Sequence, residues 1–244
     1  MLFIRKTHPP PDLLDFINTE RRRGVFNPAY SDLQTDNPTN PYYRAYTQLR
    51  EQLYAEQRGL CCYCMKVISV RNSNVEHFLP QSAFPEGEVD YYNLYLACRY
   101  SQGLPKDRQH CDIRKANALI GKFIGYGSPT VQRCEDLIKY TPDGYILPAN
   151  TPFKSLEDAQ KNYLRLGPND KAILVTIEIL NLNTRDLRKE REHFIDDLIR
   201  EIMKSPTDTT KLEAMRREYE EDFSKKFAGV ALYFIKQRLG TLLK

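Results

Sequence analysis

Four cysteines limit how the middle of this chain can fold. Cys61 and Cys64 form a Cys-x-x-Cys pair within the stretch Gly-Leu-Cys-Cys-Tyr-Cys, and Cys98 and Cys111 follow downstream. Thiolates with this spacing can bind one tetrahedral zinc ion, and a second pair closes the site so that zinc stabilises the fold and takes no part in chemistry. The sequence therefore predicts a structural zinc site formed by Cys61, Cys64, Cys98 and Cys111.

Other interpretations of the cysteines stay open beside this one. Cys62 can replace Cys61 as a ligand only with poorer geometry, and all of these thiols can be ordinary buried or free cysteines. A disulfide framework is disfavoured, because the residues up to Pro11 lack the apolar stretch of a secretion signal and cytosolic reductants keep thiols free. We therefore expect a cytoplasmic protein.

The overall charge leaves the class of partner open. The 244 residues include 36 Lys and Arg against 32 Asp and Glu, and the net charge of +4 is too small to indicate nucleic-acid binding by itself. The most apolar run, residues 172–180, contains Glu178 and is far shorter than the roughly 18 residues that cross a bilayer. The composition predicts no membrane partner.

A second set of motifs lies between and beside the cysteine pairs. An acidic residue adjoins a histidine at Glu76-His77, an Asn-Leu pair begins at Asn93 and precedes Cys98, and a Cys-Asp-x-x-Lys stretch begins at Cys111. Hydrolysis of a phosphodiester needs a base that activates water and a cation that stabilises the charge developing on the phosphate. A histidine beside carboxylates could supply both requirements.

These motifs together resemble the HNH, or ββα-metal, nuclease family. The resemblance implies that His77 is the general base and that Glu76 and Asp112 hold one divalent ion, most naturally magnesium. It also implies that Asn93 fixes the loop that orients His77. The third position of the family motif is often His or Asn, so His110 stays open as a substitute for Asp112. Magnesium prefers oxygen ligands and zinc prefers thiolates, so the two metals would not compete.

The insert between Cys98 and Cys111 departs from the second Cys-x-x-Cys that many HNH nucleases have at this place. Basic residues lie in it and just after it, and they are predicted to contact phosphate with a salt-sensitive affinity: Arg99, Lys106, Arg108, Arg114 and Lys115. A solvated polar loop is an equally good interpretation of the insert.

A closer resemblance runs in order through residues of about 58 to 190. The motifs are Cys-x-Tyr-Cys, Glu-His-Phe-x-Pro, Tyr-Asn-Leu-x-x-Ala-Cys, His-Cys-Asp-x-x-Lys-x-Asn and Thr-Ile-x-x-Leu-Asn-Leu-Asn. They resemble the HNH component of Septu anti-phage systems, the PtuB family, including its retron-associated form. The resemblance implies a nucleic-acid substrate, DNA or an RNA such as tRNA, and an ABC-type ATPase partner of the PtuA type. For the retron-associated form it also implies a reverse transcriptase and its DNA.

The predicted fold class is α+β, a mainly helical body with an inserted zinc-stabilised ββα-metal unit. Residues 1–57 are predicted to be an N-terminal helical segment, residues 58–118 the nuclease unit and residues 119–244 a C-terminal helical region. Two strands would present Glu76 and His77, and the following helix would present Asp112. A zinc-stabilised module that binds nucleic acid or protein without catalysis is the alternative from another functional class.

Apolar spacing predicts the helices of the body over residues 12–23, 42–57, 156–166, 171–180, 184–204 and 209–239. Thr184 is the predicted N-cap of the fifth of these helices. The basic residues that follow Thr184, with Arg191 among them, alternate with acids and predict a solvated helix face. A stripe that includes Phe223 and Phe227 predicts that the last helix is continuous.

Overall fold

The computed structural model describes residues 1–120, 130, 134–153, 155–221 and 225–242. Helices make up about half of this part of the chain, and two small two-stranded antiparallel sheets lie among them. The predicted class of a mainly helical protein with a small β component is confirmed at this level. None of the helices in the described ranges combines the length and the apolar character needed to cross a membrane.

The helices begin close to the residues that the apolar spacing predicted. Pro168 stands in the first turn of its helix, where a proline has no hydrogen bond to lose, and the Thr184 hydroxyl accepts a hydrogen bond from the Leu187 amide as the predicted N-cap. The helices are α1 (Pro11–Arg22), α2 (Tyr30–Leu33), α3 (Tyr43–Glu56), α4 (Cys111–Lys115), α5 (Leu156–Lys161), α6 (Pro168–Ile179), α7 (Arg185–Met203), α8 (Thr209–Glu221) and α9 (Ala228–Leu242).

The first sheet is a hairpin of β1 (Ser73–His77) and β2 (Leu94–Cys98), which pairs Ser73 with Cys98 and His77 with Leu94. All five residues of β2 are buried, and α3 packs on this strand together with α4. The hairpin and α4 are thus enclosed by helices. This enclosure explains why β2 is a continuous apolar run rather than an alternating pattern.

One hydrophobic core joins all three predicted segments of the chain. It includes Leu13 of α1, Leu49 of α3, Leu96 of β2, Ile177 of α6 and Phe227 before α9. Because a buried leucine contributes about 1.5–3 kcal/mol, this shared core couples the hairpin energetically to both helical segments. The boundaries predicted at residues 57 and 118 stay predictions.

The prediction of one continuous helix over residues 209–239 is wrong. The chain forms two helices, α8 and α9, which pack against each other, and Phe227 between them has a positive φ of 58°. The Phe227 ring is fully buried, and its amide donates a hydrogen bond to the Met65 carbonyl. Burial of this ring and its tertiary hydrogen bond therefore outweigh helix continuity. Phe223 lies outside the described residues.

The C-terminal part is also less purely helical than predicted. It contains a second hairpin, formed by β3 (Ile138–Tyr140) and β4 (Ile146–Pro148), which packs on α6. Gly144 in its turn has a φ of +81°, and a Cβ atom there would lie 2.3 Å from the Arg188 carbonyl oxygen of α7. Only glycine fits this close approach, so the turn is fixed against α7.

Candidate active site and metal centre

The four cysteines predicted as zinc ligands form one buried cluster. Their sulfur atoms all lie within 4.8 Å of one another, with 3.6 Å between Cys64 and Cys98 and 3.9 Å between Cys61 and Cys111. A tetrahedral zinc ion with Zn–S bonds of 2.3 Å separates its sulfur ligands by about 3.8 Å. The described thiols therefore have the spacing of a zinc site, and the cluster could hold that ion.

Cys61, rather than its neighbour Cys62, belongs to the cluster. The Cys98 amide donates a hydrogen bond of 3.3 Å to the Cys61 sulfur, and the Met65 amide closes a tight turn on the Cys61 carbonyl. Met65 has a φ of 60°, which lets the backbone reverse directly after Cys64. Burial raises the pKa of the Cys62 thiol well above its ordinary value, so this side chain is a neutral core residue.

The Leu-Asn-Leu-Asn stretch between α6 and α7 fixes the last cysteine of the cluster. The Leu180 carbonyl accepts the amide hydrogen bond of Cys111, and the Asn181 side chain donates to the carbonyls of Asp107 and Gln109 in the insert. Cys111 has a φ of 58°, an unusual conformation for a non-glycine residue. These contacts hold it there, and they link the insert to the C-terminal helices.

Arg191 of α7 is fully buried, so its predicted place on a solvated helix face is wrong. Its guanidinium donates hydrogen bonds to the Gly144 carbonyl, to the Leu182 carbonyl and to the Asn183 side chain. Burial lowers the pKa of Arg191 to about 10, and the nearby Tyr140, Cys64 and Cys111 oppose this shift. A positive charge thus lies near the cluster, where four thiolates around Zn²⁺ would carry a charge of −2.

The side chains of Glu76 and Asp112, which are the two predicted carboxylate ligands, lie close enough to interact. Glu76 is 2% exposed, and its Oε1 atom accepts hydrogen bonds from the Tyr63 hydroxyl at 2.7 Å and from Lys115 Nζ at 2.8 Å. Asp112 Oδ2 accepts one from the Asn74 amide at 2.9 Å. Burial raises the pKa of Glu76 well above 4.5, and the neighbouring Asp112 carboxyl raises it further while Lys115 opposes both.

His77 is held by a backbone carbonyl and an aromatic ring. Its Nε2 atom lies 2.8 Å from the Glu88 carbonyl oxygen, and the Tyr30 ring packs against the imidazole with 4.8 Å between ring centres. A carbonyl can only accept a hydrogen bond, so Nε2 carries the proton and Nδ1 keeps its lone pair in the neutral ring. Burial lowers the pKa of His77, which favours this neutral form.

Asn93 joins both ends of the loop that follows His77. Its Oδ1 atom accepts the Leu79 amide at 2.7 Å, and its Nδ2 atom donates to the carbonyls of Leu79 and Gly87. Gly87 directly precedes Glu88, whose carbonyl contacts His77. Asn93 therefore lies where a residue that fixes this loop must lie.

Two of the predicted site residues lie in other surroundings than expected. The Nδ1 atom of His110 is 3.3 Å from the Cys111 sulfur and 4.0 Å from the Cys98 sulfur, so His110 borders the cysteine cluster. Lys115 was expected to contact phosphate, but it is buried. Its Nζ atom donates hydrogen bonds to Glu76 and, at 2.7 Å, to the His77 carbonyl. The other basic candidates, Arg99, Lys106, Arg108 and Arg114, are exposed.

Three further residues of this site had no assigned role in the sequence analysis. Asn74 precedes Glu76 by two positions on β1, and this period places both side chains on one face of the strand. Tyr63 lies inside the Cys-x-Tyr-Cys motif, so its motif context was a usable signal. Tyr30 is separated from His77 by almost fifty residues, and no local pattern indicates that contact.

The fold and the site define a mainly helical protein with two small hairpins and a buried four-cysteine cluster that could hold zinc. The chain is 30% identical over 154 residues to a protein of Vibrio cholerae serotype O1 biovar El Tor named "Retron Vc95 putative HNH endonuclease". This alignment covers 62% of the chain and 65% of the relative, somewhat less than two thirds of its length. No protein-family model matches the chain.

Proposed function

We propose that this protein is an HNH endonuclease that hydrolyses phosphodiester bonds of DNA or RNA. One arrangement supports the proposal: Glu76 and His77 are consecutive on β1, Glu76 interacts with Asp112 of α4, and Asn93 braces the loop that follows His77. The ordered motifs that resemble HNH nucleases supply the same residues. The similarity to a relative named as an HNH endonuclease supports the same class of activity.

In the proposed reaction His77 removes a proton from the attacking water. The Glu88 carbonyl holds Nε2, so Nδ1 is the atom that accepts this proton. The buried ring is neutral near pH 7 and is therefore ready to act as a base. Tyr30 packs against the ring and limits its rotation, and Asn93 keeps the backbone around Glu88 in place.

The carboxyl groups of Glu76 and Asp112 fit a hard divalent cation such as magnesium. Burial raises the pKa of Glu76, and the neighbouring Asp112 carboxyl raises it further, as expected for two carboxyl groups that repel each other when both are ionised. Magnesium bound there would stabilise negative charge on the scissile phosphate and on the leaving oxygen. Tyr63 and Lys115 hold one oxygen of Glu76, and Asn74 orients Asp112 toward the same place.

The four-cysteine cluster has a separate, structural role in this proposal. Zinc bound by Cys61, Cys64, Cys98 and Cys111 would join the turn before β1, the end of β2 and the start of α4. These are the elements that carry the proposed catalytic groups. Zinc would therefore fix the relative positions of Glu76 and Asp112 without contacting substrate.

We further propose that the nuclease acts in the cytoplasm as an effector of anti-phage defence. The relative's name refers to a retron, and the motifs resemble the PtuB nucleases of Septu and retron systems. The corresponding partners would be a PtuA-like ABC-type ATPase and, in a retron, a reverse transcriptase with its DNA. Co-expression of the chain with each of these proposed partner proteins, followed by affinity purification, tests the partnerships.

The activity itself is tested with labelled duplex DNA and total tRNA. Each substrate is incubated with the protein, alone and with its co-purifying partner, in magnesium-free buffer and after addition of magnesium. Zinc content is measured in both buffers. We expect magnesium-dependent cleavage of one substrate class at constant zinc content. Absence of cleavage in every condition would favour the non-catalytic zinc-stabilised module instead.

A further inference from the structure

A polar cavity of about 570 Å³ lies between α3 and the outer end of the β1–β2 hairpin. Its helical wall is one face of α3, because Tyr43, Tyr46, Thr47, Arg50 and Glu51 recur at intervals of three and four residues. Cavities of roughly 300–1,000 Å³ are typical of sites for small ligands or ligand fragments. The cavity is therefore large enough for one segment of a polymer.

Arg50 lies at the wall of this cavity with part of its guanidinium unused. It donates to the Tyr46 hydroxyl and to the carbonyls of Val70 and Ser73, which fix the group in place. Within the part of the chain that the structure describes, its Nε atom is buried and has no hydrogen-bond partner. The three hydrogen bonds hold the positively charged guanidinium beside the cavity, where it attracts an anion.

Two exposed arginines, Arg71 and Arg99, complete the cationic lining. The carboxylates of Asp36 and Glu51 also line the cavity, so three arginines against two acids leave a net charge of +1. This charge matches a single phosphodiester, which carries −1, better than a cluster of phosphates. The planar guanidinium of arginine is also the side chain best suited to phosphate oxygens.

The cavity is connected to the proposed catalytic site by a short series of packed rings. Arg50 bonds Tyr46, the Tyr46 and Tyr30 rings are 6.3 Å apart, and Tyr30 packs on His77. Along β1, Ser73 at the cavity end and His77 are separated by four residues, or roughly 13 Å of strand. A strand of nucleic acid with one phosphate at His77 can therefore reach the cavity with a phosphate about two nucleotides further along.

We propose that this cavity, formed by Arg50, Arg71, Arg99 and the tyrosines of α3, binds a backbone phosphate of the nucleic-acid substrate about two nucleotides from the bond that is cleaved. The inference rests on the proposed nuclease function and adds a subsite to it. Tyr43 is half-buried at the wall and offers a ring on which a base can stack. Phosphate contacts position a strand without reading its sequence, so the subsite would serve substrates of any sequence.

The test compares nucleic-acid binding by a cavity variant, Arg71→Gln/Arg99→Gln, with binding by the wild type and by a matched control. The control is Arg165→Gln/Arg217→Gln, which removes the same charge from exposed residues elsewhere. Fluorescence anisotropy in magnesium-free buffer measures affinity for single-stranded DNA, duplex DNA and tRNA at several salt concentrations. The three probes distinguish the possible sources of the phosphate.

We expect weaker binding of at least one probe by the cavity variant, with the slope of log affinity against log salt reduced by about 1 for each arginine. The control should bind like the wild type. Equal affinities and slopes for the wild type and the cavity variant would overturn the subsite, as would a wild type that binds no probe. Cleavage assays on the same proteins report separately on the nuclease. If magnesium-dependent cleavage persists while the cavity variant binds normally, the subsite fails and the proposed function stands.

Discussion

The Nε2 atom of His77 lies 2.8 Å from the backbone carbonyl oxygen of Glu88. This contact assigns the ring proton to Nε2 and leaves Nδ1 as the proton acceptor, so the backbone itself selects the tautomer that a general base needs. Asn93 holds the loop that carries this carbonyl. The arrangement makes the reactivity of the His77 side chain depend on a carbonyl at the far end of the loop that follows it.

The pH dependence of cleavage should report two groups whose pKa values move in opposite directions. Burial lowers the pKa of His77 below 6.5, so the neutral base is fully present above pH 6.5 and is lost as the pH falls through the lowered value. Burial and Asp112 raise the pKa of Glu76, so protons compete with magnesium for this carboxylate up to a higher pH.

At saturating magnesium we expect the acid limb of the pH–rate profile to lie below pH 6.5. At low magnesium this limb should move to higher pH. An acid limb above pH 6.5 that magnesium does not shift would contradict both assignments.

Replacing Cys111 by serine should release zinc and destabilise the protein. Cys111 supplies one corner of the four-sulfur cluster, and structural zinc sites contribute directly to folding free energy. A loss of about 3 kcal/mol would lower the melting temperature by roughly 6–12 °C in a chain of this size. Zinc content by mass spectrometry and thermal unfolding measure the effect. Cys62→Ser, at a buried thiol outside the cluster, should keep its zinc, and undiminished zinc in Cys111→Ser would refute the ligand set.

The identity of the second ligand in the proposed magnesium site is tested by comparing Asp112→Asn with His110→Gln. Asp112 lies beside Glu76, so its replacement should raise the magnesium concentration needed for half-maximal cleavage while zinc stays bound. His110 lies against the sulfur atoms of Cys98 and Cys111, so its replacement should affect zinc retention instead. Magnesium titrations of cleavage and zinc analysis distinguish the two. If the His110 variant shifts the magnesium requirement and the Asp112 variant does not, the assignment must be exchanged.

Replacing Lys115 by methionine should destabilise the fold by about 3–5 kcal/mol, because it leaves the buried Glu76 carboxylate without its cation. Urea denaturation measures the free energy of unfolding. Arg114→Met, at the exposed neighbour, is the matched control and should change stability little. The double variant Lys115→Met/Glu76→Gln should regain part of the loss, since no unpaired charge is then buried. A Lys115→Met protein as stable as the control would show that the ion pair has no such role.

The sequence predicted the parts of the fold that depend on local pattern. Apolar spacing located most helices, and the Thr184 cap began α7 where expected. The four-cysteine cluster was predictable because the spacing of these thiols in the sequence is typical of zinc sites. The break before α9 was not, because a positive φ at Phe227 depends on burial and on a hydrogen bond to Met65.

The environment of long charged side chains was likewise inaccessible from local pattern. In the sequence, Arg191 and Lys115 each resemble the exposed basic residues next to them. In the structure, both are buried by partners that are distant along the chain. Arg191 meets the carbonyl of Gly144, and Lys115 meets Glu76 on β1. Such contacts exist only once helices and hairpins have assembled. Sequence motifs therefore located the candidate site, whereas its supporting side chains came from tertiary structure.

The rate of substrate cleavage by His77→Ala, measured beside His193→Ala, tests the proposed function most directly. His193 is an exposed histidine of α7, so its replacement by alanine serves as a control outside the site. We predict that His77→Ala cleaves about 100- to 10,000-fold more slowly at saturating magnesium, with zinc content and melting temperature near those of the wild type. His193→Ala should cleave at the wild-type rate. Cleavage by a folded, zinc-containing His77→Ala protein at the wild-type rate would contradict the assignment of His77 as the general base.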